Sequence, residues 1–92
     1  MTEVRKPVTI VNKRGLHARA SAKFVGAVAA LENGVEVRVA KDAHSAAGGS
    51  ILGLMMLGAA KGDTVEVIVS GEGAEDVLEQ LVALIEDGFG EE

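Results

Sequence analysis

The sequence contains no cysteine, tryptophan or tyrosine, and its only aromatic residues are Phe24 and Phe89. Without cysteine, disulfide bonds and thiolate metal ligands are excluded. Apolar residues nevertheless make up 48% of the chain, so the core has to be built from valine, leucine, isoleucine and alanine. A chain of 92 residues supports one modest core, and we expect residues 1–92 to form a single domain.

Long hydrophobic runs are also absent. No segment is long and apolar enough to span a bilayer, and the first residues lack the apolar run of a secretory signal peptide. We therefore expect a soluble cytoplasmic protein with no membrane partner. The formal net charge of −5 argues against a general nucleic-acid-binding protein, because that function requires a basic surface.

The charge is unevenly distributed along the chain. No carboxylate occurs between Val4 and Leu31, whereas thirteen of the fourteen carboxylates follow that segment. The same segment carries six basic residues: Arg5, Lys6, Lys13, Arg14, Arg19 and Lys23. A basic segment in an acidic chain indicates a local anion site. A solvated basic face that binds nothing is the alternative, and charge alone does not separate the two.

The periodicity of the apolar residues predicts the element order β-α-β-β-α-β-α. The predicted strands are residues 5–11, 35–40, 43–47 and 64–70, and the predicted helices are residues 18–31, 51–57 and 74–87. Asn33 and Gly34 are expected to close the first helix, and Gly88 the last. Short connections and valine-rich strands predict an α+β open-faced sandwich, in which a four-stranded antiparallel sheet carries three helices on one face.

His17 stands where the loop of residues 12–15 meets the first predicted helix. A histidine has a reference pKa of about 6.5, so a neutral ring nitrogen is available as a nucleophile near pH 7. The first N–H groups of the helix, including those of Ala18 and Ala20, lack intrahelical acceptors and favour an anion. Arg19 can hold a phosphate through two parallel hydrogen bonds. The segment therefore predicts a histidine that accepts a phosphoryl group.

Two other interpretations of His17 start from the same residues. A histidine near a helix N-terminus can be a simple surface or capping residue. A metal site is not expected, because His44 is the only other histidine and no cysteine or carboxylate lies at ligand spacing from His17. Three features favour a phosphoryl site over a simple surface or capping histidine. They are Gly15, which lets the loop turn sharply, the nearby Arg19 and the acid-free segment around them.

Residues 12–19, Asn-Lys-Arg-Gly-Leu-His-Ala-Arg, resemble the active-site segment of the histidine-containing phosphocarrier proteins (HPr) of the bacterial phosphotransferase system. Residues 50–55, Ser-Ile-Leu-Gly-Leu-Met, are similar to the second signature of that family. The separation of the two segments and the predicted element order match as well. The resemblance implies a phosphoryl carrier that is not itself an enzyme, has no cofactor and is a monomer.

The resemblance also implies roles for individual residues. Phospho-enzyme I, which draws on phosphoenolpyruvate, would phosphorylate His17 on Nδ1, and His17 would pass the group to a histidine of an enzyme IIA protein. Arg19 would hold the phosphoryl group. Ala20 stands where most members have proline, a residue that would stiffen the first turn. Alanine at this position would leave the turn looser without removing a phosphate ligand.

Ser50 is expected to cap the second helix, and an alanine there would cost about 1 kcal/mol of stability. The resemblance adds a regulatory role, since an ATP-dependent HPr kinase phosphorylates the matching serine in many members. A phosphate would add about two negative charges beside the partner surface and weaken docking to acidic partners. Gly49 stands where the family often has lysine, so the use of Ser50 by a kinase is a hypothesis.

The second helix carries more apolar side chains than one face can bury. Leu54 and Leu57 are expected to point to the core. Three of the remaining apolar side chains are predicted to be exposed and to form a docking surface close to His17, together with Lys23. They are Ile51, Leu52 and Met55. Ordinary core packing is the alternative for Leu52 and Met55.

Two other functions remain open at this point. A small acylphosphatase-like enzyme has a related strand and helix order, and it would need an asparagine that positions water. A regulatory module would respond to phosphorylation without relaying it. Within the family, the chain resembles both the sugar-uptake branch and the nitrogen-related branch, and residues 85–92 and 12–13 resemble the latter.

Overall fold

The computed structural model describes residues 2–31 and 34–91. Within them, the strands are β1 (Glu3–Thr9), β2 (Glu36–Lys41), β3 (His44–Ala47) and β4 (Thr64–Ser70), and the α-helices are α1 (Ala18–Ala29), α2 (Ile51–Met56) and α3 (Ala74–Glu86). A short 3-10 helix, Gly88–Gly90, follows α3. The predicted order of strands and α-helices is confirmed. Among the described residues, no helix is long and apolar enough to cross a membrane.

The four strands form one antiparallel sheet in the order β1-β4-β2-β3. Strand β4 lies between β1 and β2, and its alternate residues Val65, Val67 and Val69 are buried because they face the helices. The opposite face is polar at its β1 edge, where Arg5 forms ion pairs with Glu3 and Glu66. The sheet therefore has one helix-covered face, as predicted.

The three helices pack on the valine face of the sheet and complete one core. Phe24 of α1 and Phe89 after α3 are both 1% exposed, and they are the largest side chains in that core. Helix α3 contributes six further buried residues: Ala74, Val77, Leu78, Leu81, Val82 and Ile85. Helix α2 contributes Leu54 alone among its own residues, so most of its surface remains available.

Strand β1 begins and ends two residues earlier than predicted. Its pairing with β4 ends at Thr9, which lies opposite Thr64, the first residue of β4. Beyond that point Ile10 bonds to a loop, since its N–H donates to the Asp63 carbonyl at 2.8 Å and its carbonyl accepts from Gly62 N–H at 2.8 Å. The predicted alternation of buried and exposed residues continued past the end of the hydrogen-bonded ladder, which explains the shift.

The helix ends also differ slightly from the prediction. Helix α1 stops at Ala29, although Leu31 is still partly buried against the core. Asn33, part of the predicted closing turn, lies outside the described residues, while Gly34 has the expected positive φ of 67°. Helices α2 and α3 each end one residue before the predicted end.

Candidate functional site

The loop that leads from β1 to α1 rests on the loop of residues 58–63. Leu16 N–H donates to the Ala59 carbonyl at 3.0 Å, and the Leu16 side chain is 6% exposed. Ile10 is joined to the same loop at its other end. The segment that carries His17 is therefore fixed to the body of the protein on both sides of the turn, which restricts where the His17 ring can lie.

Gly15 makes the closest approach between these two loops. Its φ is +62°, a left-handed conformation that disfavours any residue with a Cβ. A Cβ added at this position would lie 2.3 Å from the Ala59 carbonyl oxygen and 2.9 Å from the Ala60 Cα. Since both neighbours are backbone atoms, no side-chain movement can relieve the clash, and the turn requires glycine.

His17 is the N-cap of α1, with extended backbone angles of φ −73° and ψ 179°. Its Nδ1 accepts a hydrogen bond from Arg19 N–H at 3.2 Å, and its carbonyl accepts from Ser21 N–H at 2.9 Å. The capping function is thus performed by the imidazole ring, where serine, threonine or aspartate is the usual choice. Nδ1 consequently lies at the positive end of the helix dipole.

The hydrogen bonds of His17 define its neutral tautomer. A backbone N–H can only donate, so Nδ1 must carry a lone pair, and the ring proton must be on Nε2. Nε2 lies 2.6 Å from Glu91 Oε2, which accepts that proton's hydrogen bond. The side chains of His17 and Glu91 are only 15% and 19% exposed. The ring therefore presents Nδ1 as its nucleophilic atom.

Glu91 reaches His17 because the chain after α3 folds back over the site. Phe89, with a φ of 58°, is buried in the core, and its carbonyl accepts a hydrogen bond from Lys23 Nζ at 2.6 Å. The Glu91 N–H donates to the Gly88 carbonyl at 3.0 Å. This C-terminal segment, residues 88–91, therefore brings a carboxylate next to a helix whose own sequence contains none.

The surroundings of Glu91 keep it ionised. Burial alone would raise the pKa of the Glu91 carboxyl and is the largest single influence. Hydrogen bonds from Asn12 and His17, with electrostatic attraction from His17 and Lys23, outweigh it and hold the pKa of Glu91 below its usual value. The ionised Glu91 carboxylate therefore stabilises the folded state at pH values above the ordinary glutamate pKa. This stabilisation is lost as the pH falls through the lowered pKa of Glu91.

Asn12 links the turn to Glu91. Its side chain is buried, and Nδ2 donates to the Gly15 carbonyl at 2.8 Å and to Glu91 Oε1 at 3.1 Å. Asn12 Oδ1 is buried without a hydrogen-bond partner among the described residues, which costs about 1–3 kcal/mol. The opposite amide orientation would place Oδ1 against two acceptors, so the observed orientation is the better one.

The structure brings together the residues predicted to bind phosphate. Ala18 and Arg19 are exposed on the first turn of α1 beside Nδ1, while the Ala20 side chain is fully buried. No hydrogen bond or ion pair joins the Arg19 guanidinium to residues 2–31 or 34–91. The first turn is also tied by Ser21 Oγ, which donates to the Leu16 carbonyl at 3.2 Å. Lys23 is predicted to contact partners, but its ammonium group donates to the Phe89 carbonyl of the C-terminal segment.

Helix α2 packs on α1 and is capped as predicted. Ser50 Oγ accepts a hydrogen bond from Gly53 N–H at 2.9 Å. The predicted exposure of three apolar residues is confirmed, and Met56, at 76% exposed, extends the same surface. We call the four residues the α2 patch: Ile51, Leu52, Met55 and Met56.

Sequence reasoning missed Glu91 and the role of Asn12. Glu91 is 74 residues away from His17, and no spacing rule connects a carboxylate near the end of the chain to the loop after β1. Within the described residues, no group of three or more histidine, cysteine, aspartate or glutamate side chains could hold a metal ion.

Comparison with known proteins identifies relatives of the whole chain. Residues 4–87 match the family model for the phosphorylation site of the HPr component of the phosphotransferase system. The chain is 44% identical to the phosphocarrier protein HPr of Pseudomonas aeruginosa over 91% of its length and 92% of that protein. It is 37% identical to the phosphocarrier protein NPr of Shewanella violacea, over 99% of this chain and 98% of that one.

Solved structures agree with the sequence comparison. The structure superposes on HPr-C-His from Thermoanaerobacter tengcongensis with a TM-score of 0.86 and 39% identity, covering 100% of this chain and 99% of that one. The HPr of Bacillus anthracis gives a TM-score of 0.84 and 30% identity, over 92% and 99% of the two chains. The fold is thus shared with HPr proteins.

The close approach of Gly15 to the Ala59 backbone should make any larger residue at position 15 destabilising. Gly15→Ala should destabilise the protein by more than about 2 kcal/mol, because a positive φ and a backbone clash both oppose the added Cβ. Thermal unfolding followed by circular dichroism measures the change. Gly26→Ala is the matched control, since Gly26 lies in α1 with nothing within 4 Å of the added Cβ and should gain up to about 1 kcal/mol. Equal melting temperatures for Gly15→Ala and the wild type would contradict the role given to this contact.

Proposed function

Because the chain belongs to the HPr family and is a phosphocarrier of the phosphotransferase system rather than an enzyme, we propose that His17 is the residue that carries its phosphoryl group. The observation that supports this assignment is the position of His17 Nδ1, an N-cap acceptor with its lone pair at the positive end of α1. The acylphosphatase alternative is set aside, since the relatives are carriers and not hydrolases.

Loading would proceed by attack of Nδ1 on the phosphorus of the donor. The lone pair that now accepts from Arg19 N–H would form the N–P bond, and the freed N–H would donate to a phosphoryl oxygen. The N–H groups of Ala18 and Ala20 are the further donors of that turn. The exposed Arg19 guanidinium can turn onto the same group and neutralise its charge.

The proposed partners are the enzymes on either side of the carrier in the phosphotransferase system. Phospho-enzyme I would donate the phosphoryl group, with phosphoenolpyruvate as the source, and an enzyme IIA would accept it. We propose that residues 1–92 act as one monomeric cytoplasmic domain. Because relatives named HPr and NPr both align along nearly the whole chain, the acceptor identifies the branch, and enzyme IIA proteins of the sugar and nitrogen branches should be compared side by side.

Incubation with enzyme I and phosphoenolpyruvate tests the assignment. We expect one acid-labile phosphoryl group per chain, none on His17→Ala, and slower labelling or transfer with Arg19→Ala, because that variant loses a cationic phosphate ligand. Intact-mass spectrometry and phosphoryl transfer to an enzyme IIA are the measurements. Labelling that persists in His17→Ala would refute the site, and a loaded protein that no enzyme IIA can discharge would favour the regulatory module.

We propose that the α2 patch, on the helix beside α1, is where these partners dock. Four exposed apolar side chains on one short helix form a contiguous apolar surface next to a charged one, a combination typical of transient protein interfaces. Lys23 would then act by holding the C-terminal segment, since its ammonium group is bonded to Phe89.

The double variant Leu52→Ala/Met55→Ala tests the docking surface. We expect KM for enzyme I to rise about fivefold to tenfold, because the loss of two interface side chains removes about 1–1.4 kcal/mol of binding. Unfolding free energy should change by no more than about 0.5 kcal/mol, since both side chains are largely outside the core. Ile68→Ala, an apolar truncation on the face of the sheet away from the helices, is the control and should leave KM unchanged. An unchanged KM in the double variant would exclude this surface.

We also propose that phosphorylation of Ser50 regulates docking. The Ser50 hydroxyl is partly exposed at the start of α2, next to the patch, and its oxygen is the cap acceptor. A phosphate there would place negative charge beside the docking surface. If a cognate kinase and ATP leave Ser50 unmodified, this proposal fails.

A pair of substitutions separates charge from capping at Ser50. Asparagine and aspartate both cap helices well, so Ser50→Asn and Ser50→Asp should retain α2 to a similar degree. Only Ser50→Asp adds a negative charge, and its phosphorylation by enzyme I should be about twofold to fivefold slower than that of Ser50→Asn. Initial labelling rates measure the difference, and equal rates would argue against an electrostatic switch.

A further inference from the structure

Glu91 lies beyond the part of the chain that the family model matches, residues 4–87, and yet it contacts His17, which lies within that part. This contact is the shortest hydrogen bond that the His17 ring makes, at 2.6 Å from Nε2, compared with 3.2 Å at Nδ1. A short bond between a ring N–H and a carboxylate is charge-assisted and strong.

Glu91 is held in place from several directions. Asn12 Nδ2 donates to its other carboxylate oxygen at 3.1 Å, and the same amide donates to the Gly15 carbonyl in the turn before His17. The buried Phe89 and its bond from Lys23 Nζ fix the backbone two residues earlier. The carboxylate is thus preorganised for the His17 ring by both the turn and the core.

We propose that Glu91 is a positioning residue for phosphoryl transfer, and that it holds the proton of neutral His17 on Nε2 and so keeps the lone pair on Nδ1. This inference rests on the proposed function of His17. If Glu91 were absent, the proton could reside on either nitrogen, and the molecules that carry it on Nδ1 would have no lone pair at the helix end. In enzymes and metal sites, a carboxylate on the far side of a histidine ring orients the ring and selects its tautomer in the same physical way.

Glu91 also interacts with the product of the transfer. The Nδ1 lone pair attacks the phosphorus of the donor's phosphoryl group, the bond between that phosphorus and the donor atom breaks, and its electron pair stays on the donor. No proton leaves His17, so the phosphorylated ring keeps its Nε2–H and gains a positive charge, while the donor keeps the electron pair of the broken bond. The Glu91 carboxylate faces that charge directly at Nε2 and stabilises it. Transfer to the acceptor reverses these changes.

Nitrogen NMR of unphosphorylated protein is the first test, because it needs no phosphoryl transfer. Long-range ¹H–¹⁵N spectra at a pH where His17 is neutral should show the Nε2–H tautomer in the wild type and in Glu91→Gln, whose amide oxygen can still accept. Glu91→Ala should show a measurable share of the Nδ1–H tautomer. Glu79→Gln removes the same charge from the exposed face of α3 and is the matched control. Identical His17 spectra in wild type and Glu91→Ala would overturn the proposal.

Transfer kinetics provide the second test. Loading from phospho-enzyme I should be about twofold to fivefold slower in Glu91→Ala than in wild type, while Glu79→Gln should match the wild type. Phosphorylated Glu91→Gln should lose its phosphoryl group faster than the phosphorylated wild type, because the tautomer is kept but the charge is not. A changed tautomer with unchanged transfer rates would overturn the role in transfer. Failure of the wild type to load at all would refute the function of His17, and the NMR result would still decide the role of Glu91.

Discussion

The close contact between the turn at Gly15 and the loop at Ala59 is the constraint on which the arrangement of the site depends. The two backbones approach so closely that a single added carbon would overlap the Ala59 carbonyl. This contact, with the Leu16 hydrogen bond beside it, sets the direction in which α1 leaves the loop. The position of the His17 ring then follows from the position of the helix, because the ring is its cap.

The use of one atom for two tasks links structure to reactivity. His17 Nδ1 caps α1, and in the proposed function the same lone pair would bond to phosphorus. Loading would then remove the cap and supply a phosphoryl oxygen as the replacement acceptor for Arg19 N–H. Because one acceptor would be exchanged for another, the first turn of α1 would keep its hydrogen bond in both states, which would suit a group that has to be passed on.

Most of the fold and part of the site could be predicted from the sequence. The alternation of Val65, Val67 and Val69 identified the central strand, and the helix start at Ala18 placed His17 at an anion-binding end, because both signals are local. Glu91 was not predicted, since it reaches the site only after α3 and the buried Phe89 have returned the chain to the start of α1. The end of β1 was misplaced because it depends on where its partner strand β4 begins.

The C-terminal segment also bears on synthesis. The site combines Asn12 and His17, which are made early, with Glu91, which is made 79 and 74 residues later, respectively. During synthesis, His17 is therefore present long before the carboxylate that faces its ring has been made. The histidine consequently acquires its full surroundings only as translation reaches residue 91, and a chain clipped before that residue would keep the nucleophile while losing the group that orients it.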